Sequence, residues 1–239
     1  MNIHSLNELI EALRTHVPIN KVLISNTKKD KKIGVILDLC RRNKVVFQQV
    51  PQQTINRKAG PDNQGVFAEI SPIKFYTLDE VLKEIKTGLL LILDSITDTG
   101  NMGAIIRSAV GAKVDGIIIS QRHSAPMNET VLKTSVGSLV KARIVQSKNL
   151  IHTLKKLKEN DFWVVGADIR GNMPYYDYDF TYKTAIVLGS ESKGISPLLK
   201  KNVDHLLSIP HSSQIESLNV SAAAAVILFE ALRQKSSGH

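Results

Sequence analysis

The sequence predicts an α/β chain in two parts: a small α/β domain over residues 1–70, a linker over 71–87, and a larger domain over 88–239 built on a mostly parallel sheet. Three observations carry this. Short uninterrupted apolar runs rich in β-branched residues recur along the chain, as expected of strands buried on both faces. Helix-periodic stretches alternate with them, the pattern of a sheet covered by helices on both sides. The length of 239 residues is enough for one large domain or two small ones.

In the front part SLNELIEALR (5–14) has helical spacing, KVLIS (21–25) is a short apolar strand, DKKIGVILDLCRR (30–42) is a second helix, and VVFQQV (45–50) and QGVFAEI (64–70) are strands. SPIKFYTLDEVLKEIKTG (71–88) carries a proline and mixed charge and reads as a linker with a short helix. Six apolar runs follow: LLLILD (89–94), GIIIS (116–120), ARIVQ (142–146), FWVVGAD (162–168), TAIVLGS (184–190) and LLSIP (206–210). Helical patterns lie between and after them, at 101–112, 128–139, 148–159, 195–201 and 217–235. The last is apolar on nearly every side from Ala222 to Phe229, and a helix of that kind is buried, here by a second subunit.

Composition narrows the function. The net charge of +9 attracts polyanions, of which nucleic acid is the commonest in cells. Residues 1–87 carry 14 Lys and Arg against 9 Asp and Glu, and the longer remainder 17 against 13, so the front part is the more basic. Its clusters are Lys28, Lys29, Lys31, Lys32, then Arg41 and Arg42, then Arg57 and Lys58. A single cysteine, Cys40, excludes an internal disulfide and reads as a small buried thiol. The seven histidines do not fall at metal-ligand spacing, so no metal is expected. No apolar run reaches the roughly 18 residues of a membrane span, and MNIHSLNELIEALR is unlike a signal peptide, so a soluble cytoplasmic protein is expected.

Parallel sheets bind ligands beyond the carboxyl ends of their strands. Three such loops are polar: DSITDTGNMG after 89–94, ESKG after 184–190 and HSSQIESLN after 206–210. None contains the dinucleotide fingerprint or a phosphate-binding P-loop. TDTGNMGAIIRSA (97–109) sets a permanent cation, Arg107, among apolar neighbours, with Gly103, Ala104 and Gly111 within about 60° of it around a helix. GSESKGIS places glycines 189 and 194 around Glu191, and Ser217 and Asn219 stand in cap-like positions before the last helix. Residue by residue, a snorkelling arginine, a plain strand-to-helix turn and ordinary helix caps are the structural alternatives.

Together, NMGAIIRSA, VLGSESKGIS and IPHSSQIESLNVSAAAA resemble, in order and spacing, the three motifs of the SpoU (TrmH-like) branch of the SPOUT RNA methyltransferases. The front part, ending in NQGVFAEI, is similar to the substrate-binding domain of RlmB-type ribosomal RNA methyltransferases. The resemblance implies transfer of a methyl group from S-adenosylmethionine to a ribose 2′-hydroxyl, without metal, of a guanosine in large-subunit (23S) ribosomal RNA. It also implies a homodimer through the C-terminal helix and a trefoil knot in the catalytic domain. The catalytic positions would be Asn101, Arg107, Glu191, Ser217 and Asn219, with Glu191 and Asn101 orienting Arg107 and the ribose. Cofactor contacts would come from Gly189, Gly194, Ile209 and Leu218. A guanidinium is not deprotonated in proteins, so stabilisation of the developing alkoxide is preferred to a base role for Arg107. Ser192 stands where the family usually has glycine, and His211 where a methionine commonly follows the Ile-Pro pair. The alternatives are a transfer-RNA ribose methyltransferase, whose family members commonly lack the front domain, and a non-catalytic RNA-binding paralogue.

Overall fold

The computed structural model describes residues 2–237 apart from 16, 71, 72, 213 and 215, and divides into two compact units, 1–73 and 74–239. The front unit runs β1 (Asn2–Ile3), α1 (Leu6–Arg14), β2 (Ile19–Ser25), α2 (Lys31–Arg42), β3 (Phe47–Val50), α3 (Gln52–Ala59) and β4 (Val66–Ile70). Its sheet has the order β1-β4-β2-β3, with β3 parallel to β2 and the other pairs antiparallel. α1 and α2 pack on each other through periodic apolar faces, Leu9 and Leu13 on one and Ile36 and Cys40 on the other. Burial pushes the Cys40 thiol up to about 11, which leaves it an inert core residue. α3 packs on β2 and β4, its one fully buried residue, Ile55, joining Leu23, Val50 and Phe67.

All eight basic residues of the front clusters are exposed. Lys28 follows the carboxyl end of β2 and lays its methylenes against Gly65, while Lys58 sits over the Phe67 ring at 5.5 Å. Arg41 and Arg42 end α2, roughly 15 Å along that helix from Lys31 and Lys32.

The second unit runs β5 (Phe75–Tyr76), α4 (Leu78–Leu82), β6 (Leu89–Asp94), α5 (Thr99–Gly111), β7 (Gly116–Ser120), α6 (Glu129–Thr134), β8 (Ile144–Ser147), α7 (Leu150–Lys158), β9 (Trp163–Ala167), β10 (Met173–Pro174), β11 (Thr184–Gly189), α8 (Pro197–Lys200), β12 (His205–Ser208) and α9 (Val220–Ser237). Its sheet order is β10-β12-β9-β11-β6-β7-β8-β5, with every strand pair parallel. The β6 and β11 runs are buried throughout, because helices cover both faces. α4, α7 and α8 close one face over a core of Leu90, Ile92, Val164 and Val187; α5, α6 and α9 pack together on the other. β11 lies between β6 and β9, an order consistent with the knotted crossing that the resemblance implies.

Residues 74–87, expected as linker, are built into this unit. Phe75 and Tyr76 pair with Ile144 and Val145 at the sheet edge, and Val81 of α4 is fully buried in the core. The Asp115 carboxylate fixes the end of the segment by accepting from the backbone N–H groups of Lys86, Thr87 and Gly88. The apolar C-terminal helix also differs from expectation. Ala224, Ile227, Leu228 and Ala231 are fully buried against the chain's own core, so a second subunit is not what covers them. The face left outward carries exposed Ala222 and Phe229, the latter 48% exposed.

Candidate active site

Loops after β6, β11 and β12 bring the three motifs to one end of the sheet. After β6, Asp98 caps α5 by accepting from the Asn101 N–H at 2.7 Å, which places the Asn101 side chain at the first turn of the helix. After β11 the chain turns tightly, with Gly194 N–H bonded to the Ser190 carbonyl at 2.8 Å and Gly194 left-handed at φ 62°. The buried carboxylate of Asp94, at the end of β6, accepts from the Ser196 N–H at 2.8 Å and ties the two loops together. After β12, Asn219 caps α9, its side-chain oxygen accepting from the Ser221 N–H at 2.8 Å and its carbonyl from Ala223.

Those placements converge on one carboxylate. Glu191 Oε1 accepts from Asn101 Nδ2 at 3.0 Å and from Asn219 Nδ2, and Asn219 Nδ2 also reaches Asn101 Oδ1 at 3.0 Å. Residues separated by 90 and 118 positions in the chain thus form a single exposed hydrogen-bonded cluster. Asn219 serves both as helix cap and as cluster member, so those two readings of it are not exclusive.

Beside the cluster lies a cleft of about 460 Å³, whose walls include Gly189, Gly194, Ile209, Leu218, Ser217 and Glu191. Every residue expected to hold a cofactor lines it. A Cβ on Gly189 would overlap the backbone of Gly194 and Ile195, so the wall requires glycine for close packing. Ser192 and His211, the two departures from the family pattern, line the cleft as well; His211 Nδ1 lies 2.8 Å from the Ile209 carbonyl oxygen.

Arg107 stands apart. It is exposed, and among the described residues none holds its guanidinium by a hydrogen bond or ion pair; neither Glu191 nor Asn101 orients it. The helix explains this, because six residues turn Arg107 about 120° away from Asn101. Gly103, one turn before it, lets α5 abut α6, where a Cβ would come 2.8 Å from the Ser135 nitrogen. Gly111, one turn after it, faces the Phe229 ring, 3.3 Å from where its Cβ would be.

A cleft-lining group missed in the sequence is Asp168, just beyond β9. Its Oδ2 accepts from Lys200 Nζ at 2.7 Å and its Oδ1 from the Arg170 N–H at 2.9 Å, and its side chain is only 11% exposed. Burial alone would raise its pKa, but Lys200 and the Arg170 N–H outweigh it and hold the carboxyl below the ordinary range. The signal was its position: a carboxylate at the carboxyl end of a buried strand, which the run FWVVGAD absorbed into the strand.

Among the described residues no group of His, Cys, Asp and Glu side chains has the arrangement of a metal site, and no helix is long and apolar enough to cross a membrane. Residues 88–229 match the SpoU rRNA Methylase family model, and residues 6–76 match the model for RNA 2′-O ribose methyltransferase substrate binding. A protein of Staphylococcus saprophyticus described within the TrmH family of tRNA/rRNA methyltransferases is 35% identical over 236 residues, covering 97% of this chain and 94% of its own. The SpoU methyltransferase AviRb of Streptomyces viridochromogenes, solved in complex with AdoMet, superposes with a TM-score of 0.74 at 25% identity, over 100% of this chain and 91% of that one. The A. aeolicus TrmH/SpoU tRNA modifying enzyme is 28% identical at a TM-score of 0.59, over 66% of this chain and 81% of its own. With its family models spanning both units and its three motifs meeting at one cleft, the chain belongs to the SpoU rRNA methylase family.

Proposed function

We propose that this chain transfers the methyl group of S-adenosylmethionine to the ribose 2′-hydroxyl of a guanosine in large-subunit ribosomal RNA. The observation that carries the reaction is the Asn101–Glu191–Asn219 cluster at the mouth of a cleft walled by Gly189. The cleft fits the donor: its volume falls in the small-molecule range, and a glycine wall lets backbone groups approach a ligand closely. Gly189, Gly194, Ile209 and Leu218 would hold the donor, which when bound supplies an electrophilic sulfonium methyl. Asn101, Glu191 and Asn219 then fix the hydroxyl, since each is already restrained by its neighbours and loses little freedom on binding. Ser217, the remaining site residue of the three loops, stands at the cleft wall. Arg107 stabilises the oxygen as negative charge develops, and the proton leaves to a neighbouring phosphate or water.

The active unit in this reading is a homodimer through the outward face of α9. Ala222 and Phe229 lie seven residues, about two turns, apart on that helix and present an apolar stripe to solvent. Gly111, one turn after Arg107 on α5, meets the Phe229 ring, and in this reading Arg107 lies beside the dimer contact. It is then supplied to the partner's cleft rather than its own. Phe229→Glu is expected to yield a folded monomer by sedimentation, with turnover reduced at least about 100-fold, the scale of losing one charge-stabilising group. Ala224 and Ile227 are unsuitable for this test, because a charge there would disrupt the chain's own core.

Support for ribosomal RNA comes from the front unit, which the substrate-binding family model covers, and from the tRNA modifying enzyme above, whose match spans only 66% of this chain. Lys28, Lys29, Lys31, Lys32, Arg41, Arg42, Arg57 and Lys58, all exposed, are its candidate RNA-facing cations. The test is methylation of deproteinised large-subunit ribosomal RNA against bulk transfer RNA by the intact chain and by residues 74–239. The intact chain is expected to prefer ribosomal RNA and the shortened one to lose that preference while still binding S-adenosylmethionine. Neutralising one of the cations that meets a phosphate should lower the salt slope of RNA binding by roughly 0.7 to 0.9. Preference of the intact chain for transfer RNA would favour the transfer-RNA reading.

A further inference from the structure

The Asp168–Lys200 pair lines the cleft but takes no part in the cluster that faces the ribose. In the sheet order β12-β9-β11-β6, the loop bearing Glu191 follows β11 and the helix bearing Asn101 follows β6 on one side of it. Asp168 follows β9, on the other side. Two strand spacings, about 10 Å, therefore separate the chain end that presents Asp168 from the one that presents Asn101. A donor whose methyl lies at the Asn101 side must extend its remainder toward Asp168.

The pair also specifies what it can accept. Lys200 already neutralises the carboxylate, so a second cation such as an ammonium group gains little there. Each carboxylate oxygen has a further lone pair beyond the bond it makes to Lys200 or to the Arg170 N–H. What remains is acceptor capacity without net charge, oriented by two fixed donors and close to Gly194, whose Cβ, if present, would sit 3.8 Å from Asp168 Oδ2. Neutral O–H or N–H donors fit it.

Resting on the S-adenosylmethionine reading, we propose that Asp168, held in place by Lys200, binds the adenosyl half of the donor by accepting hydrogen bonds from its neutral donors, the ribose hydroxyls or the 6-amino group. Asp168 is thus a binding residue of the cleft and Lys200 its positioning residue.

The experiment is calorimetry with S-adenosylhomocysteine and with its 2′-deoxy, 3′-deoxy and 6-desamino analogues, on the full chain and on Asp168→Asn. Hydrogen bonds to charged groups contribute about 1.5–3 kcal/mol, so one analogue is expected to bind wild type roughly 10- to 100-fold more weakly than the parent. Which analogue loses affinity identifies the donor. Asp168→Asn keeps one acceptor oxygen but loses the charge, so the parent should weaken and the penalty on that analogue should shrink, because the charge-assisted part of the bond is gone. If all three analogues bind wild type within twofold of the parent, or the penalty is undiminished in Asp168→Asn, the proposal is overturned while the methyl-donor reading stands. Failure of wild type to bind the parent overturns both. Should Asp168→Asn not fold, the same analogue series on Asp168→Ala decides the point, and an undiminished penalty there overturns the proposal.

Discussion

Co-expressed Arg107→Ala and Glu191→Ala subunits are expected to recover about a quarter of wild-type turnover, although each variant alone loses on the order of 100- to 1,000-fold. The expectation follows from Arg107 lying about 120° around α5 from Asn101, outside the Glu191 cluster of its own chain. In a mixed dimer one cleft lacks both groups, while the other has an intact Glu191 and receives an intact Arg107 from its neighbour. Random pairing makes about half the dimers mixed, each with one working site of two. If Arg107 served its own chain, no combination would rebuild a complete site and turnover would stay at the level of the single variants. Glu191→Ala suits the test because Glu191 lies on an exposed loop and caps no helix, unlike Asn219.

Gly189→Ala is expected to weaken S-adenosylmethionine binding on the order of 10- to 100-fold by calorimetry. The added methyl meets backbone of Gly194 and Ile195 rather than a side chain that can rotate away. Overpacking of this kind costs about 1–3 kcal/mol. Here the strain falls on the turn that carries Glu191 and forms the cleft wall, so it is read out in ligand affinity. Gly34→Ala, in α2 where nothing lies within 4 Å of the added Cβ, is the control and should leave affinity unchanged. Equal affinity for both variants would remove Gly189 from the binding wall.

Much of this architecture is legible in the sequence because the parallel sheet is buried on both faces. LLLILD and GIIIS coincide with β6 and β7 to the residue, and no polar residue interrupts either run before its end. The site loops are legible for the same reason, since polar residues directly after such runs mark the ligand end of the sheet. What escapes is structure held by partners distant in sequence. α3 (QQTINRKA) buries only Ile55, so it has no apolar periodicity to detect, and its place is set by packing on β2 and β4. β5 and β10 are two residues each and exist as strands only because β8 and β12 lie beside them. The orientation of Arg107 escapes as well: its spacing from Gly103 and Gly111 is readable on a helix, but which neighbour each glycine meets is a tertiary fact.

The insertion of β11 between β6 and β9 governs how the chain can be made. β7, the next strand in the chain, follows β6 after the single helix α5, yet the other neighbour of β6 arrives only with Thr184, which pairs with Leu89. β9 fares worse, because both of its partners, β11 and β12, are translated after it. At elongation speeds of about 5–20 residues per second, roughly 5–20 s pass between the emergence of β6 and that of β11. Throughout that interval one edge of β6, apolar from Leu89 to Leu93, lacks its strand partner, the kind of surface that recruits other strands. Stop codons before residue 184 therefore do more than delete a catalytic loop: they release a half-sheet with no means of closing its own edge, and such fragments belong to the chaperones and proteases rather than to the pool of weakened enzyme.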